Sequence, residues 1–266
     1  MTGEFEPSSD TVERFREAIS GSRFRLDAAA LALADHCSPQ GADVAGALAS
    51  LDSLASRISE PTLDGVVRLL YRDEGFVGDR EDYYNPDNSL LDRVLDRRRG
   101  IPISLAVLVI EVGRRAGVPL FGVGMPGHFL VGDRVDKEIF IDPFSGAVIG
   151  PDGAQSMFRR MQPGAPFQMS YLDETPPAHI VLRMLNNLRM IHQHQRDNRS
   201  LVRALELMIC LEDCPSEEYR HLAAALDILG RTDEAARYLD QASERYEGPD
   251  SQRLASEATR LWARLN

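Results

Sequence analysis

Within "GMPGHFLVGDRVDKEIFIDPF", residues 124–144, His128 and Asp142 stand fourteen residues apart. An imidazole held by a carboxylate has a fixed tautomer and a stabilised protonated form, the base half of a catalytic triad. The apolar runs at 119–125, 128–132 and 138–143 are short and bounded by Gly, Pro and Asp, so they predict strands. In an antiparallel pair, opposed residues have a constant index sum. For His128 and Asp142 that sum is 270, which centres the turn on Val135 within the polar segment 132–138. This register sets the two side chains abreast, with Cβ atoms roughly 4.5–5.5 Å apart. A satisfied polar pair at a sheet end has the same signature, and a one-residue bulge would move Asp142 to the other face.

A nucleophile is expected upstream, in "RRRGIPISLAVLVIE". The Gly-Ile-Pro bend, ending in Pro102, leads into an apolar helix whose first turn holds Ser104 and Leu105. Free backbone N–H groups and the positive dipole end there stabilise an anion, and those of residues 104 and 105 are candidates for an oxyanion hole. The competing reading makes Ser104 a helix cap, a role serine takes for local reasons. Upstream again, 74–89 is dense in Gly, Asp and Asn and predicts a long loop. There Tyr83, Tyr84, Asn85 and Asn88 either line a groove beside Ser104 or serve as turn residues with buried rings.

The elements that must position these groups are mostly helical. Residues 1–10 are expected to fray. From Thr11 to Arg57 the pattern is helical, with a break at 38–40, and another helix follows Pro61. Ser89 and Asp92 suggest an N-terminal cap for a short helix that Gly100 ends. The helix over 101–117 is apolar nearly all round, which predicts a central, buried position. A helix followed by consecutive strands on short connections favours an α+β class. From about residue 178 the pattern stays helical. The stretch 216–246 reads as a helix-turn-helix with small residues at its crossing, similar to a tetratricopeptide repeat. The Pro- and Gly-rich stretch 162–179 marks a boundary, giving 1–170 as N-terminal helices plus core and 171–266 as a helical segment.

The whole chain of 266 residues is acidic, with 30 Lys and Arg against 41 Asp and Glu, a net charge of -11. That disfavours a nucleic-acid partner. The acidic, polar N-terminus does not resemble a signal peptide, and no run approaches a membrane span. Three cysteines in a chain this long argue against a disulfide framework and for a reducing cytoplasm. Cys210, Cys214 and His221 fall short of four convergent metal ligands, so neither metal nor cofactor is expected. His192 and His194 lie two apart on a helix and are expected at the surface.

"GIPISLA", "GHF" and "IDP" in this order resemble the transglutaminase-like superfamily, with its papain-like architecture. The longer stretches "NSLLDRVLDRRRGIPISLAVLVIEVGRRAGVPLFGVGMPGHFLV" and "IDPFSGAVI" resemble its SirB-type branch, in which helices precede the core and tetratricopeptide-like helices follow. The resemblance implies a triad ordered nucleophile, His, Asp, which falls on Ser104, His128 and Asp142. Serine stands where the catalytic members carry cysteine, and a hydroxyl depends wholly on its base for reactivity. Two expectations follow. One is a non-catalytic or weakly active module that binds a protein or peptide, with Tyr84, Asn85, Asn88, Pro102 and Leu105 along its groove. The other is an active amide or ester hydrolase or acyltransferase using Ser104, His128 and Asp142. Oligomeric state is not encoded.

Overall fold

The computed structural model describes residues 9–20 and 24–265. The fraying expected over 1–10 therefore falls largely outside the described residues. Helices α1 (Ser9–Ile19), α2 (Leu26–Cys37), α3 (Val44–Ser56) and α4 (Leu63–Val67) come first, the last running on through a π-helical turn, Arg68–Asp73. Strands β1 (Val77–Gly78) and β2 (Arg99–Gly100) pair in parallel around a 3-10 turn, Pro86–Ser89, and helix α5 (Leu91–Arg97). Helix α6 (Pro102–Ala116) follows, then β3 (Leu120–Val123), β4 (Leu130–Asp133), β5 (Phe140–Asp142) and β6 (Ala147–Ile149). These four form an antiparallel meander in chain order. Helix α7 (Pro151–Met161), a 3-10 turn (Met169–Leu172) and helices α8 (Pro177–Gln195), α9 (Asn198–Met208), α10 (Ser216–Ile228), α11 (Thr232–Arg245) and α12 (Gly248–Leu265) complete the chain.

The all-round apolar surface of α6 is matched by its environment. Every residue from Pro102 to Gly113 is buried. The helix starts with Pro at its first position, where no N–H is needed, and stops at Gly117, whose φ of 81° closes the last turn. The sheet covers α6 with one face, through Leu120, Val131 and Ile141. Its other face holds a smaller core of Val123, Leu130 and Phe140 under Met157 and Phe158 of α7. A helix-rich chain thus carries one small antiparallel sheet, as the α+β reading expects.

The core does not stop at the Pro-rich stretch. One continuous apolar cluster runs from Leu31 and Leu51 through Leu105 and Leu108 to Leu188, Leu205 and Leu226. Polar bonds cross it as well. Thr11 Oγ1 and His36 Nδ1 lie 2.7 Å apart, and His36 Nε2 lies 3.1 Å from Glu206 Oε2 of α9. His36 is buried. Farther along, Arg245 of α11 donates to the carbonyls of Ile209, Leu211 and Glu212, closing the turn after α9. No helix among the described residues is long and apolar enough to cross a membrane.

Several local expectations are corrected. Ser89 does not cap α5: the capping position is Leu90, with no side-chain bond, and Ser89 Oγ has no partner. Arg98, in the left-handed region at φ 54°, ends that helix, while Gly100 lies in β2. His192 is buried against the expectation of a surface site, whereas His194, on the other side of α8, is exposed.

The His36 chain generates a prediction. His36→Ala removes the buried imidazole that bridges Thr11 and Glu206, so the urea midpoint should fall by the equivalent of about 2–4 kcal/mol. A midpoint unchanged from the parent chain would show that this chain of contacts does not tie α1 and α2 to α9.

Candidate functional site

Asp142 ends β5, and four groups hold the turn that follows. Ser145 and Gly146 donate their N–H groups to the Asp142 carbonyl, and Gly146 sits at φ 72°. Tyr71 donates to the Pro143 carbonyl at 2.8 Å, and a Cβ on Gly146 would meet the Tyr71 ring at 2.4 Å. The Gly78 N–H donates to the Phe144 carbonyl at 2.9 Å, and a Cβ on Gly78 would collide with the Phe144 ring at 2.2 Å. Both glycines are therefore required for the close approach of the 142–146 turn.

The carboxylate this turn presents is buried and fully used. Asp142 Oδ1 accepts from His128 Nε2 at 2.7 Å and from the Phe144 N–H at 3.1 Å. Oδ2 accepts from Ser145 Oγ at 2.5 Å. Burial works to raise the carboxyl, but the bonds from His128 and Ser145, the His128 charge and the Phe144 N–H outweigh it and hold it below the ordinary carboxylate range.

His128 reaches Asp142 from a different register than a sum of 270. Val131 opposes Ile141 and Gly132 opposes Phe140, so the strand register sums to 272. His128 precedes β4, in a turn where Gly127 takes φ 82° and the His128 N–H donates to the Met125 carbonyl. The displacement is by two positions, and two positions preserve the face. The pair meets diagonally from the strand ends instead of abreast.

Ser104 is placed elsewhere. It is the third residue of α6, not its cap, and it is fully buried. Its Oγ accepts the Ile101 N–H at 3.1 Å. Its proton lies toward the Asn88 carbonyl at 2.5 Å, with the Ile101 carbonyl at 3.1 Å. A Cβ on Gly100 would come within 2.8 Å of that oxygen. No hydrogen bond joins Ser104 to His128 among the described residues. The expected oxyanion donor at Leu105 is also committed, because its N–H closes the first helical turn onto the Ile101 carbonyl.

The groove residues divide. Tyr84 is 72% exposed and stands edge-on to Tyr83, itself 6.2 Å from the Phe144 ring. Asn85 is a turn residue: its side chain accepts the Asp87 N–H and donates to Asp82. Asn88, Pro102 and Leu105 are buried and line no open surface. Asn88 donates to the Asp82 carbonyl and accepts from Arg97, which also pairs with the buried Asp79. A cleft of about 770 Å³ lies at the far end of α6, lined by Leu26, Asp27, Glu111 and Arg114, and none of the candidate residues borders it. The thiols do not substitute for a nucleophile, since burial raises Cys210 and pushes Cys37 and Cys214 up to about 12.

Sequence patterns overlooked Arg183. This α8 residue donates to the His128 carbonyl at 3.1 Å, with its guanidinium 5.1 Å over the Phe129 ring. It lies in an amphipathic helix, fifty-five residues from His128, with no local motif to mark it. Ser145, one turn beyond Asp142, was equally unmarked.

The sequence profile of the transglutaminase-like superfamily matches residues 23–186. The chain belongs to the transglutaminase-like superfamily. Among curated proteins, a UPF0162 protein of Xylella fastidiosa (strain 9a5c) is 41% identical over 135 residues, covering 48% of this chain and 47% of its own length. UPF0162 protein PA3419 of Pseudomonas aeruginosa is 36% identical over 146 residues, 54% of this chain and 52% of its own. F-box only protein 21 of Mus musculus is 45% identical over 74 residues, 28% of this chain and 12% of its own. The chain spans about half the length of the UPF0162 relatives it matches. No solved structure matches it.

Two measurements follow from the site. Ser104→Ala leaves the Ile101 N–H and the Asn88 carbonyl only their longer bond to each other, at 3.4 Å, and should cost about 1–3 kcal/mol of stability, read by chemical denaturation. For Asp142, a carboxyl depressed in the folded state adds stability that is complete above its unfolded value of about 4 and is lost as pH falls through the lower folded value. Asp142→Asn should therefore be less stable than the parent at neutral pH, and the difference should shrink as unfolding is followed into acid. A gap independent of pH would mean that the charge on Asp142 contributes nothing.

Proposed function

We propose that this chain is a non-catalytic member of the superfamily that binds a protein or peptide. The observation that carries the reading is the commitment of Ser104: fully buried, its single proton directed to the Asn88 carbonyl at 2.5 Å. A serine nucleophile must hand that proton to its base, within hydrogen-bond reach. Here the hydroxyl is engaged with the backbone, and no hydrogen bond joins it to His128 among the described residues. The 74-residue match inside F-box only protein 21, covering 12% of that protein, supports a portable module. Assignment to the SirB-type branch rests on the order of the "GIPISLA", "GHF" and "IDP" motifs. The tetratricopeptide-like character of α10 and α11 rests on two helices joined by a short turn with small buried residues, among them Ala223 and Ala225 on α10 and Ala235 and Ala236 on α11. A cytoplasmic location rests on the free cysteines.

The hydrolase or acyltransferase reading keeps one favourable observation, the 2.7 Å bond between His128 and Asp142. A fluorophosphonate probe followed by intact-protein mass measurement separates the two. The expected result is no adduct on the parent chain. A stoichiometric adduct that disappears in Ser104→Ala would overturn the non-catalytic reading and restore Ser104 as nucleophile.

A further inference from the structure

Beside the His128–Asp142 pair lies an arginine without a counter-ion. Arg183 is partly buried, and its one hydrogen bond among the described residues goes to the His128 carbonyl at 3.1 Å. A guanidinium carries five N–H donors in a planar fork. Most of them face no protein acceptor, and no described carboxylate lies within ion-pair distance. The nearby acid in sequence, Glu174, is already held on both oxygens by Arg134, at 2.5 and 2.6 Å. Burial lowers the Arg183 pKa, and the Tyr83 phenol is the opposing influence. A cation removed from water without an anion beside it is costly, so such a group is poised to receive one.

The surroundings bring a second donor beside it. Gly124 follows β3, and a Cβ there would lie 2.8 Å from Thr175 Oγ1 and 3.1 Å from Arg183 Nη1. Both groups therefore close over the Gly124 Cα, near enough to each other to reach one ligand, and only glycine lets them pack there. Thr175 Oγ1 accepts the Gly124 N–H at 2.7 Å and keeps its own proton for a further acceptor. The strap carrying Thr175 is fixed to the sheet edge, with the Thr175 N–H on the Gly122 carbonyl and Glu174 bridged to Val123. The Phe129 ring supports the guanidinium from below at 5.1 Å. Tyr83, 42% exposed, lies near enough to act on the Arg183 charge and stands edge-on to Tyr84.

We propose that Arg183 and Thr175, brought together over Gly124, form a carboxylate-binding site that anchors a peptide beside His128. It rests on the peptide-binding reading above and adds to it the chemistry of the ligand. The planar fork matches a carboxylate in two-point contact. A net charge of -11 on the chain repels anions at long range, so recognition depends on these desolvated donors and not on general attraction.

The test is an NMR titration of the full chain, following the arginine Nε–Hε signals, with three probes. N-acetyl-glycylglycine carries a terminal carboxylate, its C-terminal amide carries none, and N-acetyl-glutamic acid α-amide offers a side-chain carboxylate. A saturable shift of the Arg183 signal with a carboxylate probe and none with the amide is the expected result. Whichever carboxylate binds more tightly identifies the source. Arg183→Leu should weaken binding roughly tenfold or more, and Thr175→Val and Gly124→Ala should each weaken it while the melting curve stays cooperative. Equal response to the amide, no saturable response to either carboxylate, inorganic phosphate binding more tightly than both, or unchanged affinity in Arg183→Leu and Thr175→Val would overturn the proposal. Failure of the non-catalytic reading looks different: probe signals would be converted to products in the same tube, whatever the Arg183 signal does.

Discussion

A helix buried from Pro102 to Gly113 cannot hydrate its own first turn, and much of the site follows from that constraint. The polar groups at its N-terminus need partners from the protein. Pro102 removes one N–H outright, Ser104 reaches back for the Ile101 N–H, and its proton goes to Asn88. Asn88 is in turn held by Asp82 and Arg97, and Arg97 by Asp79. The acidic loop over 79–88 is thus a cover for the helix end. Its Asp and Asn residues turn inward to satisfy backbone and guanidinium, leaving Tyr83 and Tyr84 to face water.

The His128–Asp142 pair depends on a different constraint, the close contact of the 142–146 turn with Tyr71 and β1. Phe144 packs where Gly78 has no side chain, and its carbonyl takes the Gly78 N–H. This fixes Asp142 before any partner is considered. A carboxylate offers about four acceptor sites, and His128, Ser145 and the Phe144 N–H fill three of them across both oxygens. The result is an ionised carboxylate in a buried place, stabilised by its hydrogen bonds against the cost of burial.

What the sequence made legible was set by periodicity. The apolar circumference of α6 announced its central place, and the alternation around 119–143 announced strands. Register was not legible to the residue, because a slip of two positions changes the index sum by two and preserves the hydrophobic face. Parity was, and parity kept His128 and Asp142 together. Strand β6 and helix α7 went unread: β6 is three residues long, and α7 opens with Pro151 and Gly153, weak signals for any element. Caps failed where a neighbour outcompeted the local pattern, as at Ser89. His192 was misplaced because burial on α8 depends on what packs there, not on the two-residue spacing to His194. Arg183 carried no signature at all, since a lone arginine in an amphipathic helix is ordinary until the tertiary contact with His128 is known.

Reactivity at Ser104 would require leaving an arrangement that α6 depends on. Rotating the hydroxyl toward a base gives up its bonds to the Asn88 carbonyl and the Ile101 N–H and leaves those two only their longer 3.4 Å bond to each other in a dry interior, at about 0.5–1.5 kcal/mol for each bond lost. Enzymes do store strain of this size, but they recover it through contacts made in the transition state. Here the first candidate contact, the Leu105 N–H, already belongs to the helix. The groups left uncommitted are of another kind: a guanidinium, a hydroxyl proton and two tyrosine rings at the surface. Donors and aromatic faces without a nucleophile are suited to holding a ligand in place, and Arg183 stands beside the pair with donors to spare.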